Sequence, residues 1–266
     1  YCLIEMIREL RDFRVTKYRI CSQKLNGIKR EKKIIFLSDL HNRMYGEENE
    51  RLLESIRNQQ PDLILIGGDM LVRKDGNSYD KTVHFLAKLP GICPVYCANG
   101  NHEQKLKELP DKYEQSYEEY KKALTASGIH MLENASETVK LDEVPVKLSG
   151  LEIPLGAYAR FGKKELSLKE ITDRIGEHGE EYQILFAHHP GYIQEYLEYG
   201  ADLILSGHYH GGVMQLPGIG GVISPDFTLF PKYSGGIYRE GTQTVVVSRG
   251  LGTHSVPVRL WNWPEL

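Results

Sequence analysis

Eight side chains able to bind a metal or move a proton stand at the ends of short apolar runs: Asp39, His41, Asp69, Asn101, His102, His188, His208 and His210. They offer carboxylate, amide and imidazole donors and no thiolate. That set suits Mn, Fe or Zn in a reactive site better than a cysteine-based structural zinc. Asp39 and His41 are two residues apart, as are His208 and His210. An extended backbone turns both members of such a pair to one face. Seven or eight ligands exceed the needs of one tetrahedral ion and suit two ions, if one carboxylate bridges them. Two metals about 3.5–4 Å apart are the usual arrangement for phosphoester hydrolysis.

The elements that must position these groups recur five times, at residues 33–41, 63–69, 92–102, 182–190 and 203–210. In each, an Ile, Leu and Val-rich run stops at a polar cluster, the pattern of a strand buried on both faces. The first three lie about one β-α-β unit apart, roughly 30 residues. The spacing of Leu52, Leu53 and Ile56 before Pro61, and of Val83, Leu86 and Ala87 before Pro90-Gly91, predicts helices between them. Helical crossovers make the strands parallel and bring their carboxyl ends to one edge, where open α/β sheets bind ligands. Gly67-Gly68, Gly100 and Gly207 precede the polar residues and allow sharp turns or close approach to an ion; they also read as plain turn glycines.

Asp39-x-His41, Gly68-Asp69, Gly100-Asn101-His102-Glu103, His188 two before Pro190, and Gly207-His208-x-His210 together resemble the calcineurin-like metallophosphoesterases across residues 33–212. One such motif carries no weight; five in the family's order are specific. The resemblance implies a metallo-dependent phosphatase-like fold, a four-layer α/β/β/α sandwich of two mixed sheets. It implies two divalent ions, one held by Asp39, His41 and His210 and the other by Asn101, His188 and His208, with Asp69 bridging. His102 would contact the phosphate or protonate the leaving group, while a metal-bridging hydroxide attacks phosphorus. Gly211-Gly212, Leu216-Pro217, Phe230-Pro231-Lys232-Tyr233 and Ser248-Arg249-Gly250-Leu251-Gly252 are similar to a bacterial branch tethered to, or exported across, the membrane. That likeness implies a phosphodiester or a pyrophosphate substrate, lipid-linked or nucleotide-containing; the residues themselves leave phosphomonoester, phosphodiester and pyrophosphate cleavage open. The competing reading is a metal-binding scaffold with little turnover, but such proteins typically lose ligands, and here every ligand position and His102 are filled.

His189 should point away from His188 if the segment is extended. His84, His130 and His178 read as surface residues. Arg160, in Tyr158-Ala159-Arg160-Phe161, and His254 are candidate substrate contacts at the rim. Tyr113, Tyr117, Tyr120 and Leu124 recur at helical spacing and predict an amphipathic helix with its aromatic stripe on the core. Residues 211–236, rich in Gly, Pro and large apolar side chains, read either as a packed excursion with short strands or as an apolar lip beside the metals.

The chain has 266 residues and a net charge of −3, which removes the electrostatic reason to expect general nucleic-acid binding. Its 41% apolar and 26% charged residues are ordinary globular composition. Cys2, Cys21, Cys93 and Cys97 are too scattered for a disulfide framework. No convincing boundary appears, so residues 1–266 read as one domain with residues 1–30 as a lead-in. Antiparallel strands are expected near Thr244–Ser248 and Val258–Trp261. The chain begins at Tyr1, and Leu3, Ile4, Met6, Ile7, Leu10 and Phe13 have rough helical spacing. This lead-in reads as a docked amphipathic helix or as the exit from a removed anchor or export signal. Membrane association or export is the expectation, with a cytoplasmic hydrolase as the alternative.

Overall fold

The apolar runs form strands, and each strand's two faces feed different cores. A computed structural model describes residues 2–73, 76, 78–159, 164–212, 214–216, 219–253 and 258–266. Helix α1 (Cys2–Glu9) leads to β1 (Ile34–Leu37), α2 (Glu50–Gln59), β2 (Leu63–Ile66), α3 (Asp80–Leu86), β3 (Val95–Cys97), α4 (Asn101–Glu108), α5 (Tyr117–Ala126) and β4 (His130–Met131). The chain continues through β5 (Ala135–Leu141), β6 (Val144–Leu151), α6 (Leu168–Ile175), β7 (Tyr182–Ala187), α7 (Ile193–Tyr199) and β8 (Leu203–Ser206). It ends with two short strands, β9 (Gln215–Leu216) and β10 (Gly220–Gly221), and a hairpin of β11 (Gly236–Glu240) and β12 (Gln243–Val247).

Four layers follow from the period-two alternation of the strands. On β2, Ile64 and Ile66 pack outward with Leu52 and Ile56 of α2 and Phe85 of α3. Leu63 and Leu65 of the same strand pack inward against Leu148, Ile184 and Leu205 of the second sheet. Leu185, Ile204 and Val245 of the second sheet face Ile171 of α6 and Tyr196 of α7. The layers are therefore helix, sheet, sheet and helix.

Only one of the two sheets is mixed. The first has order β1-β2-β3-β4 and every pairing is parallel, because a helical crossover separates each strand from the next. The second has order β11-β12-β8-β7-β6-β5, with parallel strands inside and an antiparallel hairpin at each end. The C-terminal expectation needs correction as well. Strand β12 is antiparallel to β11, as expected, but on its other side it runs parallel to β8, since the hairpin that joins β11 to β12 reverses the chain before it docks. Among the described residues, 258–261 contribute only a bridge from Leu260 to Met214. Arg259 instead turns its guanidinium into the loop at 249–252.

Tyr117, Tyr120 and Leu124 are buried on α5, but Tyr113 lies outside the helix. The Ser116 side chain accepts from Glu119 N at 3.2 Å and starts the helix there. Helix α1 docks through Glu9, which accepts the Asn262 N–H at 3.2 Å, while Arg8 and Arg14 lie over Trp263. Cys21, Cys93 and Cys97 are free thiols. Among the described residues, no helix is long and apolar enough to cross a membrane.

Candidate metal centre

Strands β1, β2, β3, β7 and β8 end at one edge, and the loops that leave them carry the polar clusters. These loops turn sharply. Asp39, His41, Asp69, His208 and His210 have φ of 54°, 49°, 52°, 64° and 49°. Such left-handed conformations cost a non-glycine residue about 1–3 kcal/mol each and gather where surrounding structure enforces them for function. Two glycines make the approach possible. Gly68 has φ +92°, and a Cβ there would lie 2.0 Å from the Gly100 nitrogen. A Cβ on Gly207 would lie 2.2 Å from Asp39 Oδ2.

The result is a buried knot of donors. Asp39 and Asp69 are 0% and 2% exposed. His41 Nε2 faces His210 Nε2 at 3.1 Å, and His210 Nε2 is 3.3 Å from Asp39 Oδ1. His188 Nε2 lies 3.2 Å from Asp69 Oδ2 and 3.7 Å from Asp39 Oδ1. The Asn101 side-chain amide reaches to 3.3 Å from Asp69 Oδ2 and 2.8 Å from His208 Nδ1. Three groups have ligand atoms mutually within 4.8 Å: Asp39, His41 and His210; Asp69, His188 and His208; and His41, Asp69 and His102.

This donor set fits divalent cations. Two buried carboxylates, Asp39 and Asp69, stand among the imidazoles of His41, His188, His208 and His210, an arrangement that a cation joins. Two histidines are also oriented as ligands usually are, with one ring nitrogen held by a backbone carbonyl and the other facing the centre. His188 Nδ1 meets Gly67 O at 2.8 Å, and His210 Nδ1 meets Gly252 O at 3.1 Å. The electrostatics of these side chains show how closely they are coupled. Burial pushes Asp39 up to about 6 against the pull of His188. Burial opposes ionised Asp69 too, but the charges of His188 and His102 hold it well below the usual carboxylate range. Burial would lower His188, yet Asp69 and Asp39 raise it to about 10. Burial, then His189 and His188, keep His208 neutral.

A family model for calcineurin-like phosphoesterase matches residues 32–212, the span that carries all of these donors. The chain belongs to the calcineurin-like phosphoesterases. It is therefore a metal-dependent phosphohydrolase, and its family uses divalent metals. Among curated relatives, the uncharacterized metallophosphoesterase YkuE of Bacillus subtilis is 30% identical over 239 residues, covering 88% of this chain and 77% of that protein. The phosphodiesterase YaeI of Escherichia coli is 24% identical over 224 residues, covering 83% and 75%. Among solved structures, the phosphopantetheinyl hydrolase PptH of Mycobacterium tuberculosis superposes with a TM-score of 0.51 at 14% identity, covering 84% and 89%. That last likeness concerns the fold.

Several contacts of this phosphoesterase centre are visible only in three dimensions. Asn101 and His102 open helix α4, and the His102 N–H donates to Asp69 Oδ1 at 2.8 Å. Glu103, in the same turn, accepts from Asp69 N at 2.9 Å, Met70 N at 2.8 Å and Gly100 N at 3.0 Å. Burial, then the Asp69 charge, push Glu103 up to about 7 despite these donors. Ser38 donates to Asp39 Oδ2 at 2.6 Å. His189 is fully buried away from the donor knot; its ring contacts Tyr192, Tyr209 and the back of His208. The rule that adjacent side chains diverge had signalled this. Tyr158 packs its ring on His208. Arg160 and His254 lie outside the described residues.

A cleft of about 340 Å³ opens beside the donors, bounded by Asp69, Asn101, His102, His208 and His210. Ile223, Pro225 and Phe227 also line it, so the 211–236 segment both packs as short strands and reaches the site.

Proposed function

We propose a binuclear phosphoesterase in which Asp39, His41 and His210 hold one divalent ion, Asn101, His188 and His208 hold the other, and Asp69 bridges them. The observation that carries the reading is the convergence of the three donor groups on the two buried carboxylates. Mn, Fe and Zn all suit these ligands. Bound divalent metals would supply Lewis acidity, making water nucleophilic near neutral pH and offsetting phosphoryl charge. The protein's own part centres on His102. The Arg73 N–H, 3.1 Å from His102 Nδ1, makes that nitrogen an acceptor and keeps the imidazole proton on Nε2. From there it can be delivered to the leaving oxygen. Residues 1–266 act as one domain in this reading, with α1 and the C-terminus tied together by the Glu9–Asn262 bond.

A phosphodiester is the substrate class we favour, because the relative YaeI is named a phosphodiesterase. The test is a panel of p-nitrophenyl phosphate, bis(p-nitrophenyl) phosphate and a nucleotide pyrophosphate, offered to protein reconstituted with Mn, Fe or Zn. Turnover abolished by Asp69→Asn is expected. Metal uptake without turnover of any ester would return the chain to the scaffold reading.

We also propose that this edge meets a membrane surface. Ile219, Phe227, Leu229 and Phe230 are 65%, 55%, 65% and 55% exposed. Trp261 and the outward side of α1, Leu3 and Ile4, add further exposed apolar area. Such side chains suit the lipid boundary, and a lipid-linked ester could lay its chain along Phe227 at the cleft.

A further inference from the structure

The α4 side of the cleft carries cations that the donor set does not use. Arg73 and Lys105 both line it, beside His102. Among the described residues, neither forms an ion pair with a carboxylate. Lys105 is half-buried, and its charge is disfavoured first by burial and then by Arg73, so the two cations feel each other. Lys112 adds a third positive charge behind them. Arg73 and Lys112 both lie against the Tyr113 ring, at 5.8 and 6.0 Å. Tyr113 therefore lies under this corner of the cleft while it also packs against the core that holds Tyr117, Tyr120 and Leu124. In a chain of net charge −3 such a concentration is local. Like charges held together on a cleft wall cost free energy until an anion joins them.

We infer that Arg73 and Lys105 form a second anion subsite, which selects esters carrying a further phosphate besides the one attacked. The inference rests on the phosphoesterase reading above and narrows its substrate class. The reacting phosphoryl group belongs at Asp39, Asp69 and His102; a second phosphate reaches past His102 to the guanidinium and ammonium. Arg offers a planar fork to phosphate oxygens and Lys a point charge. Ile223, Pro225 and Phe227 line the same cleft and offer apolar surface, with Ser224 and Asp226 between them.

A matched pair of substrates tests this: the p-nitrophenyl ester of thymidine 5′-phosphate, with and without a 3′-phosphate. Both release the same chromophore, and they differ only in the second phosphate. The wild-type protein should prefer the phosphorylated ester by about tenfold in kcat/KM, the scale of one charge-assisted hydrogen bond. Added salt should erode the preference. Arg73→Gln with Lys105→Gln should abolish it, chiefly through KM, and Lys105→Arg should retain it. The Arg73 side chain can be changed without removing its backbone bond to His102. Equal rates for the two esters in the wild type would overturn the subsite. So would a proportional loss of both in the double variant, which would assign the cations to the reacting phosphoryl group or to folding. No cleavage of either ester would overturn the phosphodiester reading and the subsite with it.

Discussion

Glu103 accepts the backbone N–H of Asp69 at 2.9 Å and that of Met70 at 2.8 Å, and so holds the Asp69 turn in its left-handed conformation. It also ties the Gly100 N–H to the same carboxylate, which joins the loops after β2 and β3. Glu103→Gln presents an NH2 group to one set of these donors. A buried N–H without an acceptor costs about 1–3 kcal/mol. We expect that loss of stability in denaturant titration, together with weaker metal retention in elemental analysis.

Asp69 and His102 should separate by their effects on metal. Asp69→Asn should strip metal, because its carboxylate sits between two of the donor groups. His102→Ala should leave metal content near the wild-type level and lower turnover by roughly 10²–10⁴-fold, as for loss of a general acid. Equal metal loss in both variants would defeat this division of labour.

Arg259 should act on the centre without touching it. Its buried guanidinium donates to the carbonyls of Arg249 at 2.7 Å and Gly252 at 2.6 Å, and Gly252 O also meets His210 Nδ1. Arg259→Met should cost on the order of 3 kcal/mol, because several buried carbonyls lose their donor. Outer partners of metal ligands typically tune affinity by about 10–100-fold. Chelator competition should therefore show weaker metal binding in Arg259→Met.

Gly68→Ala tests the geometry of the turn. The added Cβ would meet Gly100 backbone at 2.0 Å, with φ at +92°. Neither loop can yield without moving Asp69 or Asn101. Poor folding or loss of metal uptake is expected by circular dichroism and elemental analysis, whereas wild-type metal content would show that the loops adapt.

Membrane contact can be read directly. Vesicle flotation should carry the protein upward, and Phe227→Ser, Leu229→Ser and Phe230→Ser together should release it. Each buried methylene is worth about 0.8 kcal/mol, so three large side chains suffice for a measurable shift. Flotation equal in the triple variant, or none in the wild type, would leave residues 219–230 as packing for the cleft.

Much of this architecture is local and therefore legible in the chain. Ile64 and Leu65 report a strand buried on both faces through residue type alone, and Leu52, Leu53 and Ile56 report a helix through period. Parallel order in the first sheet follows from helix-length crossovers between strands. The order of Asp39, Asp69, Asn101, His188 and His208 along the chain, each at a strand end, already implied one common edge. Long-range pairing is different. The direction of β12 against β8 depends on where the preceding hairpin docks, and no residue of 243–247 encodes its neighbour. Nothing in the sequence around Arg259 announces the carbonyls that the fold gathers about its guanidinium. Arg73 and Lys105 lie 32 positions apart in sequence with nothing in either neighbourhood to couple them. Only the loop after β2, folded against the first turns of α4, brings the two charges to one wall. Residue type and period act over a few positions, whereas the sharing of a wall is set by packing of the whole sheet, and there the tertiary structure decided.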